Sequence, residues 1–100
     1  MKLYSVKLLT IICETLAQRN VIRILEKHEI TGYTISEVRG NGPDGLRHLG
    51  LKNEKNVKVE VIMREEKLSG VVEEISRTLF PNFALVLYVR DIGVLRTEKF

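Results

Sequence analysis

The architecture of this chain is set by the stretch GYTISEVRGNGPDG, residues 32–45. Its first half is rich in β-forming side chains, and Tyr33, Ile35 and Val38 mark a strand that runs to about Arg39. Its second half carries three glycines and a proline within six residues, and these residue types interrupt regular structure. No strand pattern resumes for about seventeen residues, whereas a hairpin needs only about two to five. The sequence therefore predicts a long, specialised connection between two strands.

The segments on either side of this stretch predict the other elements. Apolar β-branched residues indicate a buried first strand, a capping box at Thr15–Gln18 indicates a helix start, and strict alternation indicates the third strand. Predicted strands cover residues 5–13, 33–39, 57–63 and 84–89, predicted helices cover residues 15–28 and 65–79, and a bend covers residues 91–93. This order predicts a ferredoxin-like α+β fold, βαββαβ, in which two helices cover one face of a four-stranded antiparallel sheet. At 100 residues the chain is expected to be a single domain, residues 1–100.

The second face of such a sheet has no helices to cover it. Because apolar residues point to both sides of the predicted strands, we expect a symmetric homo-oligomer that pools the sheets and buries this face. The single cysteine, Cys13, is expected to be a reduced, buried thiol, and we expect it to lie in the shared core. The sequence shows no signal peptide and no apolar run of about 20 residues, so a cytoplasmic location is expected.

The long loop combines glycines with basic side chains. Gly40 and Gly42 can turn backbone N–H groups toward a phosphate, and basic side chains can close over it. The loop contains more basic than acidic residues. The basic ones are Arg47, His48, Lys52 and Lys55, and the acidic ones are Asp44 and Glu54. The net charge of +3 suits an anionic ligand but is too small to indicate DNA binding. The alternative is a surface hairpin with no binding function.

Other functional classes receive little support from the sequence. No nucleophile is placed with a base, so no catalytic residues and no enzyme activity are expected. His28, His48 and Cys13 share no ligand spacing, so no metal site is expected. An RNA-binding sheet would need aromatic residues, which VKVEVIM lacks, and an acylphosphatase-like hydrolase would need glycines in CETLAQRN. No nucleic-acid partner is expected, and a structural oligomer without a ligand stays open.

Three segments resemble the PII signal-transduction proteins. ITGYTISEVRGNG (residues 30–42) is similar to their second strand, which leads into a long T-loop, and NVKVEVIMREEKLSGVVEEI (residues 56–75) is similar to their third strand and second helix. VLRT (residues 94–97) is similar to a segment in which the family places a phosphate-contacting arginine. FPNFALVLY (residues 80–88) and the GYT strand resemble the SbtB-like, carboxysome-associated PII-like branch.

The resemblance implies a homotrimer that binds an adenine nucleotide (AMP, ADP, cAMP or ATP) as a regulatory ligand between subunits, with no covalent cofactor. It also implies that the T-loop controls a partner such as an inorganic-carbon or other membrane transporter, which would bring the protein to the membrane surface. The nucleotide-binding residues expected on this basis are Gly40, Asn41, Gly42, Arg47, Ala84, Leu85, Val86, Arg90 and Arg96. The residues expected in the partner-binding loop are Asp44, Gly45, His48, Lys52 and Lys55.

The chain also departs from the family pattern. No tyrosine lies between Gly40 and Val57, so the tyrosine modification of nitrogen-sensing members has no target. The glycine-rich Gly-Asp-Gly-Lys loop of the family is replaced by FPNFALVLY, with Leu85 at the lysine position. The cysteine-bearing extension of some carbon-linked members is missing after Phe100, so redox control through it is not expected. The alternatives are a nitrogen-regulatory sensor of ATP and ADP acting on ammonium transport or nitrogen enzymes, or a trimer without a ligand.

Overall fold

A computed structural model describes residues 1–40 and 56–96 of the chain. The elements follow the predicted order and confirm the α+β fold. They are β1 (Tyr4–Glu14), a 3-10 turn (Thr15–Ala17), α1 (Gln18–Lys27), β2 (Thr34–Val38), β3 (Asn56–Met63), α2 (Glu65–Leu79) and β4 (Leu85–Val94). The bounds of α2 are those that the spacing of its apolar residues predicts.

The four strands form one antiparallel sheet with the order β2-β3-β1-β4. β1 lies inside the sheet, where Leu9 pairs with Val61 of β3 on one side and with Val89 of β4 on the other. β2 and β4 are therefore the two edge strands. This arrangement fixes which residues can share a site, because the two edges lie three strand spacings apart.

The hydrophobic core lies between the sheet and both helices. Directly paired residues point to the same face of an antiparallel sheet, so Ile11, Val59 and Leu87 all face the helices. Each helix adds three buried residues to this core, Val21, Ile24 and Leu25 from α1 and Val71, Ile75 and Leu79 from α2. Each fully buried aliphatic side chain of this kind contributes about 1.5–3 kcal/mol of transfer free energy.

Cys13 is part of this core. Its side chain is fully buried beneath the helices, in the same cluster as Val57 and Leu85. The prediction of a buried thiol is confirmed, but the placement of Cys13 in a core shared between chains is wrong, since it points away from the open face. Burial raises the pKa of the thiol to about 11.

Two local predictions are wrong. The bend at residues 91–93 is instead continuous strand, because the long β1 keeps pairing as far as Tyr4 with Val94 and places Lys7 opposite Asp91, with which it forms an ion pair. The start of the first helix also differs from the prediction, since α1 begins at Gln18 and not at Thr15. The chain enters α1 through a 3-10 turn, and the residues that precede the turn and the helix, Glu14 and Ala17, make no side-chain capping bond.

The open face, defined as the sheet surface opposite the helices, carries apolar side chains. The register places Leu8 beside Ile62, and Ile12 beside Val86. All four are only half-buried in the single chain. A monomer would leave this apolar surface in water, so the observation agrees with the predicted need for self-association.

Candidate functional site

One end of the sheet gathers the positions around which the predicted site is built. Val38 at the end of β2 pairs with Asn56, which pairs with Glu14 at the end of β1. On the other side of β1, Leu85 begins β4 opposite Cys13. We call this the Glu14 end of the sheet. At this end of the sheet, Gly40 follows β2 and residues 80–84 precede β4.

Residues 80–84 form a tight turn whose backbone donors are used within the chain. The N–H groups of Asn82 and Phe83 donate to the carbonyl oxygen of Leu79, at 3.1 and 2.9 Å. The N–H of Ala84 donates to Oε2 of Glu14 at 3.1 Å, and the carbonyl of Ala84 accepts from the N–H of Glu14 at 3.2 Å. Three consecutive amides, those of residues 82–84, therefore already have acceptors. A glycine-rich phosphate loop works in the opposite way, because it presents free N–H groups to the ligand.

The structure places the remaining predicted nucleotide-binding residues at separate points. Gly40 is exposed, and a Cβ added to it would meet no atom within 4 Å. The Leu85 side chain is buried in the core and leaves only its backbone to a ligand, whereas Val86 is half-buried on the open face. Arg90 is exposed on the same face, with its guanidinium 5.9 Å from the ring centroid of Tyr88. Arg96 is exposed beyond the end of β4.

These residues do not meet within one chain. Gly40 follows β2 and Val86 lies in β4, and the two edges are about 14 Å apart at a strand spacing of about 4.8 Å. Along β4, Arg90 lies about 13 Å from Val86, and Arg96 lies beyond the strand end, at about 3.3 Å per residue. Within one copy of the sheet, the described candidates on the β2 edge and on the β4 edge are therefore separated by the two inner strands.

A surface groove lies apart from these candidates. It lies between α1 and β2, has a volume of about 830 Å³, and is lined by side chains that include Arg19, Arg23, Tyr33 and Ile35. Of the predicted nucleotide-binding residues that the structure describes, none lines this groove.

The other predicted residues, all between positions 41 and 55, lie outside the described residues and stay predictions. They are Asn41, Gly42, Arg47 and the loop residues Asp44, Gly45, His48, Lys52 and Lys55. In the part of the chain that is described, no group of three histidine, cysteine or acidic side chains is arranged to hold a metal ion. No helix there is long and apolar enough to cross a membrane.

Sequence reasoning missed Glu14. Its partner, Ala84, is 70 positions away, so no local motif marks the contact. The two residues meet because β4 pairs with β1 up to Cys13, which leaves Ala84 beside the last residue of β1. Only the predicted strand pairing, extended to its last residue, could have suggested this contact.

The family pattern described as Nitrogen regulatory protein P-II matches residues 6–99 of this chain. The chain belongs to the P-II family. It is a PII-like regulatory protein, which agrees with the resemblance found in its strand and loop sequence.

Solved structures of PII-like proteins match the whole fold. CPII from Thiomonas intermedia K12, bound to ADP, AMP and acetate, is 28% identical to this chain, with a TM-score of 0.86. The match covers 100% of this chain and 98% of CPII. CPII bound to ADP and bicarbonate is 28% identical, with a TM-score of 0.78 and coverage of 95% and 93%. A protein assigned to PII-like signalling in Thermus thermophilus is 30% identical, with a TM-score of 0.81 and coverage of 100% and 99%.

Proposed function

We propose that this PII-like protein is a homotrimeric sensor of adenine nucleotides. The nucleotide (AMP, ADP, cAMP or ATP) binds in the clefts between subunits, and the segment that starts at Gly40 responds to it. In its ligand-dependent state, this T-loop controls a partner such as an inorganic-carbon or other membrane transporter. The protein works in the cytoplasm and reaches the membrane only through that partner.

The observation that carries the proposal is the placement of the predicted ligand residues on opposite edges of the sheet. Gly40 follows edge strand β2, whereas Val86 and Arg90 lie in edge strand β4. Contact of both edges with one nucleotide is explained directly if the two edges come from different copies of the chain. A closed ring of subunits brings the β2 edge of one copy to the β4 edge of the next and repeats the same cleft at every interface.

The open face supports assembly from an independent direction. Leu8, Ile12, Ile62 and Val86 are half-buried there, and the helices lie on the opposite side of the sheet. Three such faces turned toward a common axis would remove their apolar area from water.

The ligands named for CPII support the choice of nucleotide. Its structures contain ADP and AMP, in some cases with bicarbonate. We therefore place adenylates first among the ligands of this chain and inorganic carbon first among the processes it reports on.

The proposed mechanism is a shift between two states of the loop. A nucleotide changes the balance only by the difference between its affinities for the two states, and the partner that selects one state must in turn tighten nucleotide binding. No bond is made or broken in this mechanism, so the proposal requires no catalytic residue.

Calorimetry combined with a mass measurement tests the proposal. We expect AMP, ADP, cAMP or ATP to release heat on binding, with one site per chain, and light scattering to give a mass of three chains. Arg96→Ala should weaken binding about tenfold or more, because a charged hydrogen bond to phosphate is lost, and should leave the trimer intact. Arg23→Ala on α1, which removes the same charge, is the matched control. Flat titrations with all four nucleotides, or a monomer in solution, would refute the proposal.

A further inference from the structure

We propose that Glu60 of β3 forms an ion pair with Arg90 of β4 in a second copy of this chain. The inference rests on the proposed homotrimer and adds to it the charged contact that gives the ring its direction. It is drawn from the positions of the two residues on the open face and from the contacts that they make within one chain.

The first step places both charges on the open face. Leu8 lies on this face, and Arg90 is its direct partner in β4, so Arg90 points to the same side. Thr10, two residues from Leu8, faces this side as well. The direct partners of Thr10 are Glu60 in β3 and Tyr88 in β4. The open face thus carries a carboxylate on one half and a guanidinium on the other.

The second step concerns the two side chains within one chain. Their strands are two spacings, or about 10 Å, apart, and Arg90 lies two residues, or about 7 Å, further along the sheet than Glu60. Among residues 1–40 and 56–96 no ion pair joins these two side chains. The guanidinium of Arg90 instead lies 5.9 Å from the ring centroid of Tyr88. Because Tyr88 and Glu60 are level with each other on the sheet, the guanidinium is already close to the level of Glu60.

The third step concerns a neighbouring copy. In the proposed ring the β2 edge of one copy adjoins the β4 edge of the next. Glu60 lies one strand in from the β2 edge, and Arg90 lies on the β4 edge itself. Neighbouring side chains of a single sheet stand parallel, whereas the inner faces of two sheets that meet at an angle turn their side chains toward each other. A rotation about an axis along the strands keeps every residue at its own level, so Glu60 meets the Tyr88 and Arg90 side chains of the next copy.

The fourth step concerns the surroundings of the pair. Leu8 and Ile62 lie beside each other on the open face, and their burial on assembly removes water from the charges next to them. A charge that loses water without gaining a partner costs free energy, whereas a carboxylate and a guanidinium offset this cost for each other. Each interface of the ring contains the pair once, from Glu60 of one copy to Arg90 of the next, which is the head-to-tail contact that a closed ring requires.

The test is charge reversal, with the mass of the wild-type chain and its variants measured by analytical ultracentrifugation over a dilution series. Glu60→Arg and Arg90→Glu should each raise the concentration at which the trimer is half dissociated about tenfold or more, because every interface then sets two like charges together. The double variant Glu60→Arg/Arg90→Glu reverses the pair and should return this concentration to the wild-type value. The matched control is Glu73→Arg, which reverses an exposed carboxylate of α2 on the other side of the sheet and should leave this concentration unchanged.

A mixture of the two single variants distinguishes a pair between copies from a pair within one chain. Wherever the Glu60→Arg chain adjoins the Arg90→Glu chain, the interface holds opposite charges. Mixed trimers should therefore form at concentrations at which each variant alone is dissociated. A pair within one chain would gain nothing from mixing.

Each outcome supports or overturns the inference. Single variants that dissociate no more readily than wild type overturn it, and so does a mixture that forms no trimers. A double variant that does not recover gives Glu60 another partner, such as Lys58 two residues away in β3, and overturns the inference as well. If a reversal variant does not fold, Glu60→Gln, Arg90→Gln and their double variant replace it, and effects of the two changes that simply add overturn the inference. In all these cases the wild-type trimer and its nucleotide titrations are untouched and the proposed function stands, whereas a monomeric wild type removes both.

Discussion

Gly70 of α2 packs against the imidazole of His28, and we predict that this contact reverses the usual effect of replacing a helical glycine by alanine. A Cβ at position 70 would lie 3.3 Å from Cε1 of His28 and 3.6 Å from its Nδ1. The ring has little room to move, because its Nε2 lies 2.8 Å from a carboxylate oxygen of Glu74. The His28 carbonyl is held as well, by a hydrogen bond of 2.9 Å from Lys67.

The magnitude follows from two opposed effects. Alanine in a helix interior is favoured over glycine by about 1 kcal/mol. Crowding a packed site with one extra methyl group costs about 1–3 kcal/mol. We therefore expect Gly70→Ala to lower the free energy of unfolding by between zero and about 2 kcal/mol in the wild-type background. In the His28→Ala background the crowding is gone, and the same change should raise the free energy of unfolding by about 1 kcal/mol.

The assay is a double-mutant cycle by urea unfolding, with the four proteins compared at one protein concentration because assembly shifts the midpoint. The coupling between the two positions should be about 1–3 kcal/mol. If Gly70→Ala stabilises both backgrounds by the same amount, His28 does not restrict position 70, and the account of this contact is wrong.

Three further predictions concern reactivity, pH and assembly. Burial raises the pKa of the Cys13 thiol to about 11, so a thiol reagent at about pH 8 should label the folded protein far more slowly than the protein in urea, and equal rates would contradict the buried position. Hydrogen bonds, first from His28 and then from a neighbouring lysine, hold the pKa of Glu74 below its ordinary value of 4.5. The stability that this carboxylate contributes is therefore complete above pH 4.5 and lost as the pH falls through the lowered pKa. Glu74→Gln should be less stable than wild type at neutral pH, and thermal unfolding should show the difference shrinking in acid; a constant difference would argue against the ion pairs. Ile62→Arg puts a charge on the open face and should give a monomer by light scattering. The control Ser69→Arg, at an exposed position of α2, should keep the oligomer. If the Ile62→Arg variant stays oligomeric, this face is not the interface.

The success of sequence reasoning depended on whether a signal was local. The bounds of α2 were predictable because apolar side chains repeat at helical spacing from Leu68 to Leu79. The bend at residues 91–93 was predicted from Asp91 and Gly93, which favour turns, but pairing with β1 overrides that preference. A preference of individual residues cannot report that a partner strand is long enough to keep a segment extended.

The candidate site was less predictable for the same reason. Residue types suggested Gly40 and the family resemblance suggested Arg96, but their separation depends on the strand order β2-β3-β1-β4, which no single segment encodes. The sequence does not show whether the N–H groups of residues 82–84 are free, and only the folded turn shows that they donate to Leu79 and Glu14. Sequence patterns thus identify parts of the predicted pocket without their arrangement.

The pairing of Tyr4 with Val94 has a consequence for how the protein is made. β1 leaves the ribosome before the other strands, yet its β4 partner is completed only at Val94, after every other element of the sheet. Until then the nascent chain holds an apolar inner strand with one edge unpaired, which is the kind of surface that other chains and chaperones bind. Folding of this small regulator therefore has to wait until its last strand has been synthesised, and a chain truncated within that strand should be recovered in aggregates.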